Sequence, residues 1–222
     1  MDDPLAALAP DATHRDAAEL LRSAGWTDCG AGDWAFALRS PDGDVVARIS
    51  PFDPTGPYAA RLYRDAAGTR QVPELHAHLR LAGGGDLQLM ERLTAVDEGD
   101  AAAFHGMLVG GEPELRELAG IVNRIHAQAI RELPWCGPLD TNPSNVMRGA
   151  DGRLVLTDPY FADGPALYSL AGTDPDAFAA RLPEPERRYL TEIPLTWSGP
   201  WSDEDRKAMR AGIAEADRRR EA

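Results

Sequence analysis

The stretch LDTNPSNVMRGADGRLVLTDPYF, residues 139–161 of a 222-residue chain, sets Asp140, Asn145 and Asp158 around a hairpin that needs none of them. Val146 to Arg148 and Leu154 to Thr157 are strand-like runs flanking GADG. Their pairing is expected to put Arg148 opposite Arg153, or to shift the partner by two residues, and either register places Asn145 and Asp158 on one face. Cross-strand neighbours on one face lie about 5 to 8 Å apart, a span that one hard cation bridges through oxygen ligands. Pro143 sits between Asp140 and Asn145, so a turn can return the Asp140 carboxylate to the same place. Such a set suits phosphoryl transfer: one aspartate accepts the proton of an attacking hydroxyl, while an asparagine and a second aspartate hold magnesium on the phosphates. The competing reading is an Asx-rich turn, in which Asp140 and Asn145 cap backbone amides and do no chemistry.

Charge narrows the partners. Against 23 Lys and Arg stand 36 Asp and Glu, a net charge of −13, which repels phosphate backbones and draws cations. Nucleic acid is therefore not expected as a partner, and a cationic small molecule or a basic peptide is. The start, MDDPLAALAPDATHRD, has neither a basic segment nor an apolar one of signal-peptide type, and no apolar run approaches the length of a membrane span. No membrane partner and a cytoplasmic location are expected. Cys29 and Cys136 are too few for a disulfide framework and lack metal-ligand spacing.

Several elements must position the trio. Ala17, Leu20, Leu21 and Ala24 recur at helical intervals and stop at Gly25, which predicts an opening helix over 11–25. Residues 26–50 read as a short strand, a loop holding Gly30 and Gly32, and two strand-like runs joined by SPDGD. A helix is expected over 58–68 and two strands around a Gly-rich turn over 76–93. TAVDEGDAAAFHGMLVGGEP marks a change of composition and gives no periodic signal. Leu115, Leu118, Ile121, Val122, Ile125 and Ile130 form one stripe of an amphipathic helix over 114–130, on or beside which His126 reads as a packed residue. Ser202 opens an acid-first, base-last helix over 202–220. The five tryptophans, among them Trp197 and Trp201, read as core or loop anchors, with Trp34 beside the Gly-containing loop placed to cover a ligand.

LDTNPSNVMRGADGRLVLTDPYF resembles the catalytic and metal-binding segment of the protein kinase-like superfamily, in the form used by aminoglycoside phosphotransferases and related small-molecule kinases. CGAGDWAFALRSPDGDVVARIS is similar to that family's Gly-rich loop, hairpin and third strand, QLMERL to the strand entering the adenine-binding hinge, and the helix ending NRIHAQ to the one before the catalytic loop. The resemblance covers residues 26–161. It implies an α+β, bilobal kinase-like fold: an N-lobe over 1–93 with an antiparallel five-stranded sheet, and a reduced, mostly helical C-lobe over 94–222. It implies ATP or GTP with Mg2+, Asp140 as the catalytic base, Asn145 and Asp158 as metal ligands, and Arg48, Gly30, Gly32, Asp65, Met90 and Glu91 around the nucleotide.

The chain departs from the family pattern at named places. Arg48 stands where the family has a phosphate-holding lysine, and a forked guanidinium is not equivalent to an ammonium. Gly137-Pro138-Leu139 precedes Asp140, where the family usually carries a loop-holding histidine, and Pro159-Tyr160 follows Asp158. After Phe161 only residues 162–222 remain for a substrate pocket, which leaves room for an extended acceptor or for a protein partner that completes the C-lobe. The implied activity is transfer of phosphate to a hydroxyl of a small molecule, with a Ser/Thr-bearing peptide of a biosynthetic pathway as the alternative acceptor. A pseudokinase that binds nucleotide or a partner without transfer is the reading from a different class. Because the field of the chain is acidic, binding of a cationic acceptor should weaken steadily as salt rises toward screening lengths of about 8 to 10 Å. Acceptor affinity measured across a salt series checks this, and a salt-insensitive acceptor contradicts it.

Overall fold

The computed structural model describes residues 5–133, 135–196 and 202–221, so Trp197 and Trp201 lie outside the described residues. Helix α1 (His14–Ser23) opens the chain, with Thr13 and Asp16 forming a reciprocal capping box. Strands β1 (Thr27–Ala31), β2 (Phe36–Arg39) and β3 (Val45–Ser50) follow as a meander. Helix α2 (Gly56–Asp65) then crosses to β4 (Leu75–Arg80) and β5 (Asp86–Glu91). All pairings in this five-stranded sheet are antiparallel, in the order β1-β2-β3-β5-β4. This is the antiparallel N-terminal sheet with one crossing helix that the resemblance implies.

Beyond it come β6 (Thr94–Ala95), α3 (Glu98–Gly110), α4 (Arg116–Glu132) and the hairpin β7 (Val146–Arg148) and β8 (Leu154–Leu156), with β6 pairing on β7. Helices α5 (Gly164–Thr173), α6 (Pro175–Arg181), α7 (Glu184–Arg187) and α8 (Asp203–Glu221) complete a mostly helical C-terminal part. Ser202 accepts from the Asp205 amide at 3.0 Å and so caps α8 as its sequence predicts. Helix α3 lies in the segment that gave no periodic signal. Asp97 caps its start, accepting from the Asp100 amide, and Gly111 ends it at φ +68.

The hairpin register falls midway between the two expected ones. Val146 faces Leu156 and Arg148 faces Leu154. Gly149 donates to the Arg153 carbonyl at 3.0 Å, leaving Ala150, Asp151 and Gly152 as a three-residue tip with Gly152 at φ +85. A two-residue or four-residue tip would have given the expected pairings, but the left-handed glycine closes the odd-numbered one. A one-residue slip changes the face of every side chain, so Asn145 sits opposite Thr157, whose amide donates to its carbonyl at 2.7 Å.

Three buried clusters hold the molecule. One joins α1 to the sheet through Leu21, Leu38, Ile49 and Leu87. A second packs α2 on α4 and the hairpin through Leu62, Leu118, Ile125, Leu156 and Tyr160. The third, of Trp135, Leu167, Phe178, Leu190 and Ile213, belongs to the C-terminal helices but takes in Phe52 from the sheet side. Each fully buried large apolar side chain contributes about 1.5 to 3 kcal/mol relative to exposure.

Residues 184–195 return across the sheet and brace it. Arg15 donates twice to the Glu192 carboxylate at 2.7 Å, the Tyr189 amide reaches the Gly83 carbonyl, and Leu195 donates to the Asp33 carbonyl at 3.0 Å. The turn between β4 and β5 fits under this brace only because Gly84 has no side chain: a Cβ there would stand 1.9 Å from the Glu186 carbonyl oxygen, at φ +88. Gly43 has nearly the same φ, +87, with open space around it. Gly43→Ala should therefore cost only the left-handed backbone, about 1 to 2 kcal/mol. Gly84→Ala adds displacement of the brace and should cost at least about 2 kcal/mol more. Urea denaturation of both variants measures the difference, and equal costs would mean that the brace yields freely.

Candidate active site

Arg48 lies in the middle of β3, flanked by Ala37 of β2 and Gln88 of β5, with its side chain on the face turned toward the hairpin. Its guanidinium is a fork between two carboxylates. Nη1 donates to Asp53 Oδ2 at 2.8 Å and Nη2 to Asp158 Oδ2 at 2.8 Å.

Asp53 follows the buried Phe52 in the turn that leads into α2. Its second oxygen accepts from the Thr55 amide at 2.9 Å, the Thr55 hydroxyl at 2.9 Å and the Gly56 amide at 2.8 Å. The same carboxylate thus fixes the start of α2 and one edge of Arg48. Arg80 donates to the Asp53 carbonyl at 2.5 Å, and beneath it the buried Asp86 binds His78 at 2.8 Å and Gln88 at 2.9 Å.

Asp158 leaves β8 at φ +45, a left-handed conformation uncommon for any residue other than glycine. Its amide donates to the Tyr63 hydroxyl at 3.1 Å, and its carbonyl accepts from Asn145 Nδ2 at 3.2 Å. That turn aims the carboxylate at Arg48. The segments carrying Asp140 and Asp158 run antiparallel: Cys136 bridges Ala162, the Gly137 amide reaches the Phe161 carbonyl at 3.0 Å, and the Asp140 amide reaches the Pro159 carbonyl at 2.9 Å. The Asp140 carboxylate accepts from the Asn142 amide at 2.8 Å, which shapes the turn through Pro143. His126 of α4 binds the Gly137 carbonyl at 2.9 Å and stacks on Tyr160, so a histidine from the preceding helix steadies this loop.

Electrostatics follow from one guanidinium serving two buried acids. Burial alone would lower the affinity of Arg48 for its proton, but the charges of Asp158 and Asp53 outweigh it and raise that affinity. Burial also opposes ionisation of Asp53, yet Arg48 and the donors around the carboxylate hold it below the ordinary value. Asp158 goes the other way: burial raises it, and the charge and hydrogen bond of Arg48, opposed in part by the neighbouring charges of Asp53 and Asp140, do not offset that burial.

Of the residues expected at the site, Arg48 meets the Asp158 carboxylate and Asn145 the Asp158 carbonyl, and Asp140 lies beside them on the paired strand. Asp65 does not reach Arg48. It ends α2, nine residues from Gly56 and so about 14 Å along the axis, and pairs with Arg61 at 3.5 Å and Arg124 at 3.2 Å. The acid beside Arg48 is Asp53, which lies before the helix where the expectation looked within it. Met90 and Glu91 stay inside the sheet: Met90 pairs with Val46 and packs into the α2–α4 core, and the Glu91 amide is spent on the Glu74 carbonyl at 3.0 Å while its carboxylate pairs with Arg153. These two are therefore sheet residues and not a free hinge edge.

Gly30 pairs with Ala37 at an irregularity in β1, and Gly32 donates to the Ala35 carbonyl at 2.8 Å; a Cβ on either would meet only open space. Trp34 at the tip of that loop turns inward, its ring 6.2 Å from Phe52 and 6.0 Å from Tyr168. A groove of about 730 Å³ lined by His14, Arg15, Arg22 and Phe36 lies on the α1 side, and none of its lining residues belongs to the site. Among the described residues no group of three or more His, Cys, Asp or Glu side chains is arranged to hold a metal ion. The oxygen donors available are the carboxylates of Asp140 and Asp158 and the amide of Asn145, a set of the type that hard cations take.

No protein-family model and no curated protein matches the chain. Among solved structures, two crystal structures of the Mycobacterium tuberculosis PknI kinase domain are similar to it. One is 16% identical with a TM-score of 0.30, covering 93% of this chain and 100% of that one. The other is 15% identical, also with a TM-score of 0.30, covering 86% and 96%. At that score the likeness carries no argument about the site, which rests on its own geometry.

The burial of Asp53 sets a measurable contrast with Asp65. Asp53→Ala leaves Arg48 with an uncompensated edge and uncaps α2, and should destabilise the fold by about 3 to 5 kcal/mol. Asp65→Ala removes only half-exposed pairs and should cost no more than about 1 kcal/mol. Since the folded Asp53 carboxyl lies below its unfolded value, its contribution is present above the unfolded range near 3.8 and is lost as pH falls through the folded value. The gap between wild type and Asp53→Ala, read by urea denaturation, should accordingly shrink in acid. A constant gap would show that ionisation of Asp53 is not what holds Arg48.

Proposed function

We propose that the chain is a phosphotransferase that moves the terminal phosphoryl group of a nucleoside triphosphate, ATP or GTP, to a hydroxyl of an acceptor. One observation carries this reading: strand β3 and the distant hairpin β7–β8 deliver Arg48 and Asn145 to Asp158, with Asp140 hydrogen-bonded into the strand beside them. An ordinary hairpin gains nothing from such a convergence.

In this reading Asp140 receives the proton of the acceptor hydroxyl as its oxygen bonds to the terminal phosphorus and the bond to the bridging oxygen breaks. Arg48 faces the phosphates with a guanidinium whose charge burial does not remove. Asn145 and Asp158 would hold a magnesium ion, which supplies neutralisation of the phosphate charge. The main-chain ladder between 136–140 and 159–162 fixes the distance between the base and the metal-holding aspartate, so positioning does much of the work.

The acidity of the chain favours a cationic, hydroxylated acceptor of aminoglycoside-like chemistry, with a Ser/Thr-bearing peptide second. No helix among the described residues is long and apolar enough to cross a membrane. A nucleotide-binding protein without transfer is the reading favoured by one specific contact, the ion pair by which Arg48 already neutralises Asp158.

Asp140 separates the two readings, because it is the member of the trio not needed to hold nucleotide. Asp140→Ala should lower phosphate transfer at least about a hundredfold, as expected when a positioned general base is lost. Nucleotide affinity should not change. Mass spectrometry of the acceptor together with calorimetry of nucleotide binding tests both points. Equal product from wild type and variant would remove Asp140 from the mechanism, and absence of product from the wild type with any cationic or hydroxylated acceptor would favour binding without transfer.

A further inference from the structure

The two carboxylates that share Arg48 are not equivalent. The Asp53 side chain is 2% exposed and its other oxygen is committed to Thr55 and Gly56, so it cannot leave Arg48 without uncapping α2. Asp158 is 33% exposed, is bound to Arg48 through a single oxygen, and sits at the end of a strand. Any divalent cation approaching Asp158 in the free protein therefore meets a fixed positive charge already on its carboxylate.

We infer that Arg48 is a latch on the metal-holding aspartate. In the free protein it withholds Asp158 from a divalent cation. A polyphosphate gives the Nη2 edge of Arg48 a better acceptor, and Asp158 is then free to turn toward the cation that arrives with the nucleotide. Asp53 keeps the Nη1 edge throughout and is the positioning residue that stops Arg48 from following Asp158. The consequence is an order of binding: the site takes metal and nucleotide together and refuses metal alone. This inference rests on the phosphotransferase reading for the role of Asp158.

The test is binding of Mn2+, followed by the electron paramagnetic resonance of the free ion and, in samples with ATP, read against the same Mn2+ and ATP without protein. Arg48→Gln alone leaves Asp53 buried without its cation and can fail to fold, so the working variant is Arg48→Gln with Asp53→Asn, whose amide oxygen still accepts from Thr55 and Gly56. Thermal melting confirms that it is folded. Wild type should bind Mn2+ only when ATP is present. The double variant should bind Mn2+ without ATP at least about tenfold more tightly than wild type, the scale of one charge-assisted hydrogen bond removed from a carboxylate. Adding Asp158→Asn to the double variant should abolish that binding.

Equal Mn2+ affinity of wild type and double variant without ATP would overturn the latch while leaving the phosphotransferase reading intact. Persistence of Mn2+ binding after Asp158→Asn would overturn it as well, because the ion would lie elsewhere. No Mn2+ binding by wild type even with ATP would overturn the reading of Asp158 as a metal ligand, and the latch with it.

Discussion

A guanidinium held 2.8 Å from each of two carboxylates, in a side chain only 17% exposed, is the constraint around which the rest of the molecule is arranged. Removing such ions from water costs several kcal/mol apiece, and attraction offsets that cost only if every remaining donor and acceptor is met. The second oxygen of Asp53 is met by three donors at the start of α2. The amide and carbonyl of Asp158 are met by Tyr63 and Asn145. Each of those partners is itself placed by another element, so β3, α2, β8 and the loop before β7 are all committed to one geometry.

The second constraint is the return of residues 184–195 onto the sheet. In a two-part molecule joined only by the chain near residue 93, the sheet and the helices could rock about the site. Here Glu192 binds Arg15, Leu195 binds the loop carrying Trp34, and Gly84 lies directly beneath Glu186. Phe52, next to Asp53, is buried in the C-terminal core and not in that of the sheet. The aspartate that anchors Arg48 is thereby tied to both parts. A closure or opening of the site must accordingly come from side chains more than from rotation of one part against the other.

Much of this was legible before any coordinates. The α+β order, the meander, the crossing helix and the amphipathic α4 follow from local signals, period and turn chemistry, whereas Asn145 meets Asp158 through the left-handed turn at Asp158 and not through either expected register. What failed did so for identifiable reasons. Helix α3 begins with Glu98 and Asp100 and then scatters alanines, Gly106 and large apolar residues around its axis, so it carries no 3.6-residue contrast and only its caps at Asp97 and Gly111 betray it. The hairpin register depended on a left-handed Gly152 that lengthens the tip by one residue. Asp53 was missed because its neighbours, PFDPTGP, read as a connecting turn, and nothing local says that an Asx cap also faces a strand. Asp65 was preferred because it sits within a periodic segment, which says which face it occupies and nothing of how far along the axis it lies. The role of His126 in holding the loop before Asp140 was invisible for the same reason: the contact joins residues close in sequence through a bend that only the tertiary structure defines.

The departure at Arg48 acquires a physical sense from this geometry. An ammonium is a compact point charge that turns its three donors toward whichever acceptor is nearest. Two carboxylates fixed on opposite sides would compete for it, and motion of one would release the other. A guanidinium presents separate edges in a rigid plane, so Nη1 can stay on Asp53 while Nη2 exchanges one oxygen acceptor for another without the group rotating. The cap on α2 requires Asp53 to be stationary, and in the proposed latch Asp158 must be able to let go. A forked cation satisfies both demands at one position of β3, and that is the reason an arginine here is more than a bulky substitute for lysine.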